Sequence, residues 1–151
     1  ARMNSLIEPR LIQAMYRASQ AGVRIDLVVR GVCCLRPGVP GISDNIRVRS
    51  VMGRFLEHSR VFYFQNGGEP EIFLSSADWM PRNFFRRVEV AFPVEVPELR
   101  DRVLQESLLA YISDNTQAWA LQQDGSYRRL KAASNHKPRS AQDELLGKLT
   151  S

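Results

Sequence analysis

Of the two histidines in the sequence, His58 has the surroundings of a reactive group. It lies between Arg54 and Arg60, with Glu57 beside it, and a run of apolar residues typical of a strand follows. A neutral imidazole can accept or donate a proton or attack phosphorus, and guanidinium groups bind phosphate oxygens. The pattern favours phosphate chemistry at the edge of a sheet, and a structural histidine is the open alternative. His136 lies in a polar segment, so we expect it to be exposed.

A second polar cluster, residues 75–78, follows the next apolar run. It contains two serines and Asp78, and arginines at 82, 86 and 87 come after it. Asp78 is placed to orient the His58 ring through one ring nitrogen. Ser, Asp and Asn residues also form turns and cap helices, so that interpretation stays open. The sequence has no glycine-rich phosphate loop and no dinucleotide-binding motif, so arginines would have to hold any nucleotide.

The hydrophobic pattern predicts helices and strands that mingle along the chain. A helix begins at Pro9 and ends before Gly22, because Pro suits the first turn and apolar residues recur on one face. A second helix covers 97–115. Its predicted buried stripe contains Leu99, Val103, Leu104, Leu108, Tyr111 and Ile112.

Branched and apolar runs predict strands at 23–29, 45–52, 60–64, 71–74 and 88–94. Asp124-Gly125 predicts a hairpin between 119–121 and 127–130. The mixture indicates an α/β domain over residues 1–131. Residues 132–151 are polar and without aromatics, and we expect them to form a flexible tail.

The excess positive charge lies in one part of the chain. Residues 1–92 contain 13 arginines, no lysine and 8 acidic residues, whereas residues 93–151 contain 8 basic and 8 acidic residues. The planar guanidinium group binds phosphate or carboxylate oxygens, so a phosphate-bearing partner is indicated, with solvated surface charge as the alternative.

Adjacent Cys33 and Cys34 offer neither a disulfide framework nor metal-ligand spacing. Without a signal sequence or roughly 20 consecutive apolar residues, a cytoplasmic protein is expected, with peripheral membrane association left open.

Several motifs occur in an order that is specific to one family. They are Arg30-Gly31-Val32-Cys33-Cys34-Leu35-Arg36-Pro37-Gly38, the run from Gly53 to Phe64, Asn66-Gly67-Gly68, Ser75-Ser76-Ala77-Asp78-Trp79-Met80 and Arg82-Asn83. Over residues 1–115 the sequence closely resembles the carboxy-terminal catalytic domain of the long bacterial polyphosphate kinases. The resemblance implies a layered α/β domain of the phospholipase D-like type, with a mixed sheet flanked by helices.

The resemblance also implies a function. Enzymes of this family transfer the terminal phosphate of ATP reversibly to inorganic polyphosphate, with ATP and ADP as substrates, Mg²⁺, and a phosphohistidine intermediate. They are homo-oligomers, and the phosphorylated histidine and the Mg²⁺ ligands lie in a preceding domain that nothing in the present sequence matches. We therefore expect the present 151 residues to be inactive on their own. We also expect no nucleic-acid partner.

Two residues match positions with a role in the family, and two further arginines are expected phosphate ligands. Arg30 matches a nucleotide-contacting arginine, and His58 matches the second active-site histidine, which contacts the nucleotide phosphates and is the expected catalytic residue. Arg60 stands where the phospholipase D His-x-Lys signature has lysine, and it is an expected phosphate ligand. Arg87 lies in the basic segment after the Ser-Ala-Asp-Trp motif and is also expected to bind phosphate. The resemblance assigns no metal ligand to this chain.

Two other functions stay open at this point. A phospholipase D-type phosphodiesterase would act as a homodimer in which each chain contributes one His motif, although Arg60 in place of lysine argues against it. A noncatalytic Arg-rich module would bind polyanions through charge alone.

Overall fold

The computed structural model describes residues 1–135 and 137–150, so the prediction for His136 lies outside the described residues. Eight strands are found in this part of the chain: β1 (Arg2–Met3), β2 (Ile25–Val29), β3 (Ile46–Val51), β4 (Val61–Phe64), β5 (Glu71–Ser75), β6 (Ala91–Pro93), β7 (Ala118–Leu121) and β8 (Tyr127–Arg129). The helices are α1 (Pro9–Gln20), α2 (Pro81–Phe85), α3 (Pro97–Val103), α4 (Ala110–Ile112) and α5 (Ala141–Thr150). A π-helical segment, Leu104–Leu109, joins α3 to α4.

The strands form one mixed sheet in the order β6-β5-β4-β1-β2-β3-β7-β8. Strands β1, β2 and β3 are parallel neighbours, with Met3 opposite Val29 and Val28 opposite Arg49. The remaining pairs are antiparallel, including the predicted hairpin of β7 and β8. The carboxyl ends of three adjacent parallel strands therefore meet at one edge of the sheet.

Helices cover both faces of the sheet. On one face, Ile12 and Met15 of α1 pack in a core cluster with Leu27 and Val29 of β2. The helical segment that follows β6 covers the other face. There Tyr111 packs with Val28, Val51, Ala118 and Ala141, and Leu108 packs with Val61 and Ile72. The predicted mixed α/β sheet flanked by helices is confirmed.

Two predicted elements differ from the structure. The strand expected at 88–94 is reduced to the exposed edge strand β6. The second helix ends at Ile112 and contains the π segment, and its predicted stripe is only partly buried. Leu99 is 51% exposed, whereas Leu108 is 2% exposed. The difference arises because Leu99 lies beside Phe92 and Val96 in an open groove next to β6.

The segment predicted as a polar tail contains helix α5. Ala141 and Gln142 at its start are buried, and Ala141 belongs to the core cluster around Tyr111. The domain boundary at residue 131 and the flexibility of 132–151 stay predictions. None of the helices in the described part of the chain has both the length and the apolar character needed to cross a membrane.

Candidate functional site

The candidate site lies where the three parallel strands end. Asn4 directly follows β1, Arg30 directly follows β2, and the segment 52–60, which contains His58, follows β3. We call residues 52–60 the His58 loop. Ligands in open α/β sheets bind outside the carboxyl ends of such strands, because the polar residues that leave adjacent strands converge there.

Asn4 connects the two residues with the strongest predicted roles. Its Oδ1 accepts a hydrogen bond of 2.9 Å from Arg30 Nε, and its Nδ2 lies 3.5 Å from His58 Nδ1. With Nδ2 as the donor, the neutral His58 ring carries its proton on Nε2. The four N–H donors on the Nη atoms of Arg30 make no hydrogen bond within the described residues, so they are available to an oxyanion.

The backbone of Arg30 is held closely between its neighbours. Its N–H donates to the Met3 carbonyl at 3.1 Å, and its carbonyl accepts from the Ser50 hydroxyl at 2.7 Å. The next residue, Gly31, donates its N–H to the Asn4 carbonyl at 2.8 Å, and a Cβ at Gly31 would lie 3.1 Å from that oxygen. This close approach of the two chain segments suits glycine and keeps Arg30 beside Asn4.

Arg60 and Asp78 form a half-buried ion pair next to His58. Arg60 Nε and Nη2 donate to the two Asp78 oxygens at 3.2 and 3.1 Å, and its Nη1 donates to the His58 carbonyl at 2.9 Å. The Asn4 N–H donates to Asp78 at 2.7 Å. Burial alone would raise the pKa of Asp78, but the hydrogen bonds from Arg60 and Asn4 outweigh it and hold the pKa below its ordinary value.

Glu57 attaches the His58 loop to the core. It accepts a hydrogen bond of 2.7 Å from Arg2 Nη2 and another from the Tyr111 hydroxyl. Arg2 is 6% exposed, and its guanidinium carbon lies 3.5 Å from the centre of the Tyr111 ring. Burial, together with the bond to Glu57, raises the pKa of Tyr111 to about 12, so its hydroxyl stays a donor.

The structure brings together Arg30, His58 and Arg60, and it leaves Arg87 apart. Arg87 is exposed beyond α2 and makes no hydrogen bond or ion pair with Asn4, Arg30 or His58 within the described residues. Its role as a phosphate ligand stays a prediction, as do the binding roles of the other three.

The expectation that Asp78 orients the His58 ring is wrong. Asp78 binds Arg60 and the Asn4 N–H, and Asn4 provides the contact to the ring. The physical reason is that the guanidinium fork of Arg60 matches the carboxylate in bidentate fashion. The serines bind the segment before β6, since the hydroxyl of Ser75, at the end of β5, donates to the Val90 carbonyl and Ser76 pairs with Glu89.

Sequence reasoning did not find Asn4. Strand β1 has only two residues, and so short a strand has no hydrophobic pattern to reveal it. The signal that would have found Asn4 is a polar residue directly after a strand that is parallel to β2.

The described residues do not fit a magnesium site. Glu57 and Asp78, the two carboxylates of the candidate site, are each paired with an arginine. In the described ranges 1–135 and 137–150, no three His, Cys, Asp or Glu side chains are grouped so that they could hold a metal ion.

Comparison with known proteins identifies the family. The model of the family described as "Polyphosphate kinase C-terminal domain 2" matches residues 1–142. The chain belongs to this polyphosphate kinase domain family. Its sequence is 62% identical over 149 residues to a polyphosphate kinase of Pseudomonas aeruginosa and 60% identical over 150 residues to one of Pseudomonas putida, and in each case 99% of this chain is covered.

The fold of this polyphosphate kinase domain also matches a solved structure. The crystal structure of polyphosphate kinase from Porphyromonas gingivalis is 44% identical, with a TM-score of 0.92 and 99% of the present chain covered. The match confirms the layered, phospholipase D-like α/β fold. The chain spans about a fifth of the relatives' length: 21% and 20% of the two Pseudomonas proteins, and 22% of the chain in the crystal structure.

Proposed function

We propose that this domain forms one wall of the active site of an ATP:polyphosphate phosphotransferase. The observation that carries the proposal is the meeting of Arg30 and His58 on the side chain of Asn4, although 28 positions separate them in the sequence. A cation with free donors and a titratable ring, fixed side by side at the carboxyl ends of parallel strands, suits a phosphorylated substrate. The family of the chain and the names of its relatives support the same function.

In this proposal Arg30 and His58 contact the phosphates of ATP or polyphosphate. Phosphoryl transfer spreads negative charge over the phosphoryl oxygens, and a fixed guanidinium stabilises that charge without reorganising. His58, with its proton on Nε2, donates a hydrogen bond to a phosphate oxygen. Arg60 adds positive charge and fixes the His58 backbone, while Arg87 extends the basic surface that a long polyanion follows.

The reaction has two balanced steps. A histidine nitrogen outside this chain attacks the terminal phosphorus of ATP, so that a P–N bond forms, the P–O bond to ADP breaks and ADP leaves. A terminal oxygen of polyphosphate then attacks the phosphohistidine, so that a P–O bond forms and the P–N bond breaks. Both steps are reversible, and the fixed donors of this domain act on the same phosphoryl oxygens in each direction.

The proposal places other parts of the enzyme outside this chain. Mg²⁺ would be bound by residues of a preceding domain together with the nucleotide phosphates, because the carboxylates Glu57 and Asp78 are paired with arginines. The proposed assembly is a homo-oligomer of full-length chains in the cytoplasm.

A chimera tests the proposed function. In the full-length Pseudomonas aeruginosa polyphosphate kinase, this chain replaces the segment that it matches, and His58→Ala is then introduced. We expect polyphosphate synthesis from ATP to fall by at least about 10²-fold, because a fixed hydrogen-bond donor to the phosphate oxygens is lost at this position. The neighbouring exposed residue provides the control, Ser59→Ala, which we expect to retain activity.

Three results would contradict this function. Wild-type synthesis by the His58→Ala chimera would remove His58 from the reaction. Hydrolysis of a generic phosphodiester, with a covalent intermediate on His58, would favour the phospholipase D-type enzyme. A noncatalytic polyanion-binding module would be favoured if the chimera made no polyphosphate and if duplex DNA readily displaced long polyphosphate from it.

A further inference from the structure

The His58 loop has little regular structure to hold it in place. Residues 52–60 connect Val51 of β3 to Val61 of β4 without a helix or a strand. Side chains from other segments fix it instead, and one of them comes from the C-terminal helix. Gln142 lies 87 positions after Phe55, yet its amide binds the Phe55 backbone.

The contact between Gln142 and Phe55 has two parts. The Phe55 N–H donates to Gln142 Oε1 at 2.9 Å, and Gln142 Nε2 donates to the Phe55 carbonyl at 2.9 Å. A side-chain amide therefore gives Phe55 the pair of hydrogen bonds that a residue on an adjacent strand would otherwise give. Gln142 is 6% exposed, so water does not readily replace either bond.

The position of Gln142 is itself fixed. The N–H of Ala141 donates to Asp114 Oδ2 at 2.8 Å, and the other Asp114 oxygen accepts from the N–H groups of Thr116 and Gln117 at 3.0 and 2.7 Å. Asp114 thus joins the start of α5 to the turn before β7. Helix α5 enters the core at Ala141 and presents Gln142 to the loop.

Gly53 shows how closely the amide approaches the loop. A Cβ at this position would overlap Gln142 Oε1 and would lie 2.5 Å from Gln142 Cδ, well inside van der Waals contact. The backbone of Gly53 does not have a positive φ, so alanine is allowed there apart from this overlap. A Gly53→Ala substitution would therefore displace the Gln142 amide from Phe55.

We propose that Gln142 is a positioning residue whose amide holds the His58 loop in the conformation that presents His58 to substrate, which makes helix α5 part of the support of the active site. This inference rests on the proposed function. It extends that function to a segment where the sequence predicted a flexible tail, and it assigns Gln142 no contact with the substrate.

The test uses five variants of the full-length chimera, one of which is Gln142→Glu. Gln142→Ala removes both hydrogen bonds, Gly53→Ala displaces the amide, and the third variant combines the two. Gln13→Ala makes the same change at an exposed position of helix α1 and serves as the control. Steady-state kinetics and hydrogen–deuterium exchange are measured for each protein.

We expect kcat to fall about ten- to hundredfold in each single variant, because a small displacement of a reacting group costs this much. The double variant should lose no more than the single variants, since all three have the same defect. Exchange should rise in the peptide that contains residues 53–58 and stay unchanged in β3 and β4. Gln142→Glu, which keeps the acceptor for the Phe55 N–H, should lie between wild type and Gln142→Ala. The Gln13→Ala control should match wild type in both measurements.

Unchanged kcat in Gln142→Ala, or unchanged exchange at 53–58, would overturn the inference. The inference would also be overturned if the fold-loss of kcat in the double variant were the product of the two single losses, because that result indicates two separate defects. If Gln142→Ala does not fold, Gly53→Ala and Gln142→Glu provide the same measurements. Failure of the proposed function is a separate result: it appears as full activity of His58→Ala, whereas the exchange at 53–58 reports on Gln142 without reference to activity.

Discussion

At the scale of single residues, Asn4 holds the candidate site together because an amide side chain offers both a donor and an acceptor. A carboxylate at this position would bind Arg30 but would offer no donor to an unprotonated His58 Nδ1, and a hydroxyl would be too short to reach both partners. The Asn4 backbone N–H binds Asp78 and thereby the Arg60 pair as well. One residue therefore sets the positions of three groups with a predicted role in phosphate binding.

We predict that Asn4→Leu lowers polyphosphate synthesis by the chimera about 10²-fold, because leucine has the same shape but leaves Arg30 and His58 without their common partner. Asn4→Asp keeps the acceptor for Arg30 and should lose less activity. Steady-state kcat and KM for ATP provide the measurement, and circular dichroism checks the fold. A leucine variant with the kinetics of wild type would show that Asn4 does not orient these two side chains.

At the scale of elements, the long patterns of the sequence were sufficient to predict most of the fold. Helix α1, strands β2 to β5 and the hairpin of β7 and β8 were expected within a few residues of their bounds, because periodicity and turn residues are local signals. Arg30 and His58 were identified through motifs. The two-residue strand β1 has no such pattern, and pairings such as Gln142 with Phe55 depend on contacts across 87 positions that local sequence does not encode.

The helical segment from α3 to α4 shows where periodicity alone gave a wrong result. Both Leu99 and Leu108 belong to the predicted stripe, but Leu108 is buried against Val61 and Ile72, whereas Leu99 lines the open groove next to β6. Leu99 lies in α3, whereas Leu108 lies within the π-helical segment, whose different period changes which side chains face the sheet. Burial at one end of the segment therefore does not imply burial at the other end.

We predict that Leu108→Ala lowers the free energy of unfolding by about 2–5 kcal/mol, because it removes buried methyl groups and leaves a cavity. Leu99→Ala is the matched control, and it should change stability by less than about 1 kcal/mol since its side chain is half exposed. Denaturant unfolding of both variants provides the measurement. Equal losses at the two positions would show that the groove beside β6 is closed in solution.

At the scale of the whole molecule, the proposed function requires this domain to supply positive charge but only part of an active site. All of the net charge of +5 lies in residues 1–92, which also contain Arg30, His58 and Arg60. Phosphate binding needs such fixed cations, whereas transfer also needs a nucleophile and the groups that neutralise the leaving phosphate. The carboxylates of the candidate site are paired with arginines, and the proposed function therefore assigns the action on substrate to His58 and the arginines.

We predict that the isolated 151-residue chain binds polyphosphate weakly and does not phosphorylate itself. Binding should weaken as ionic strength rises, because the Debye length falls from about 10 Å at 0.1 M to about 3 Å at 1 M salt. Incubation with γ-labelled ATP should leave no acid-labile label on the chain, since His58 is proposed to bind phosphate rather than to attack it. Circular dichroism first establishes that the isolated chain is folded, and the His58→Ala chain shows the background of the labelling assay. Label on His58 above that background would make His58 the nucleophile and would move the transfer chemistry into this domain.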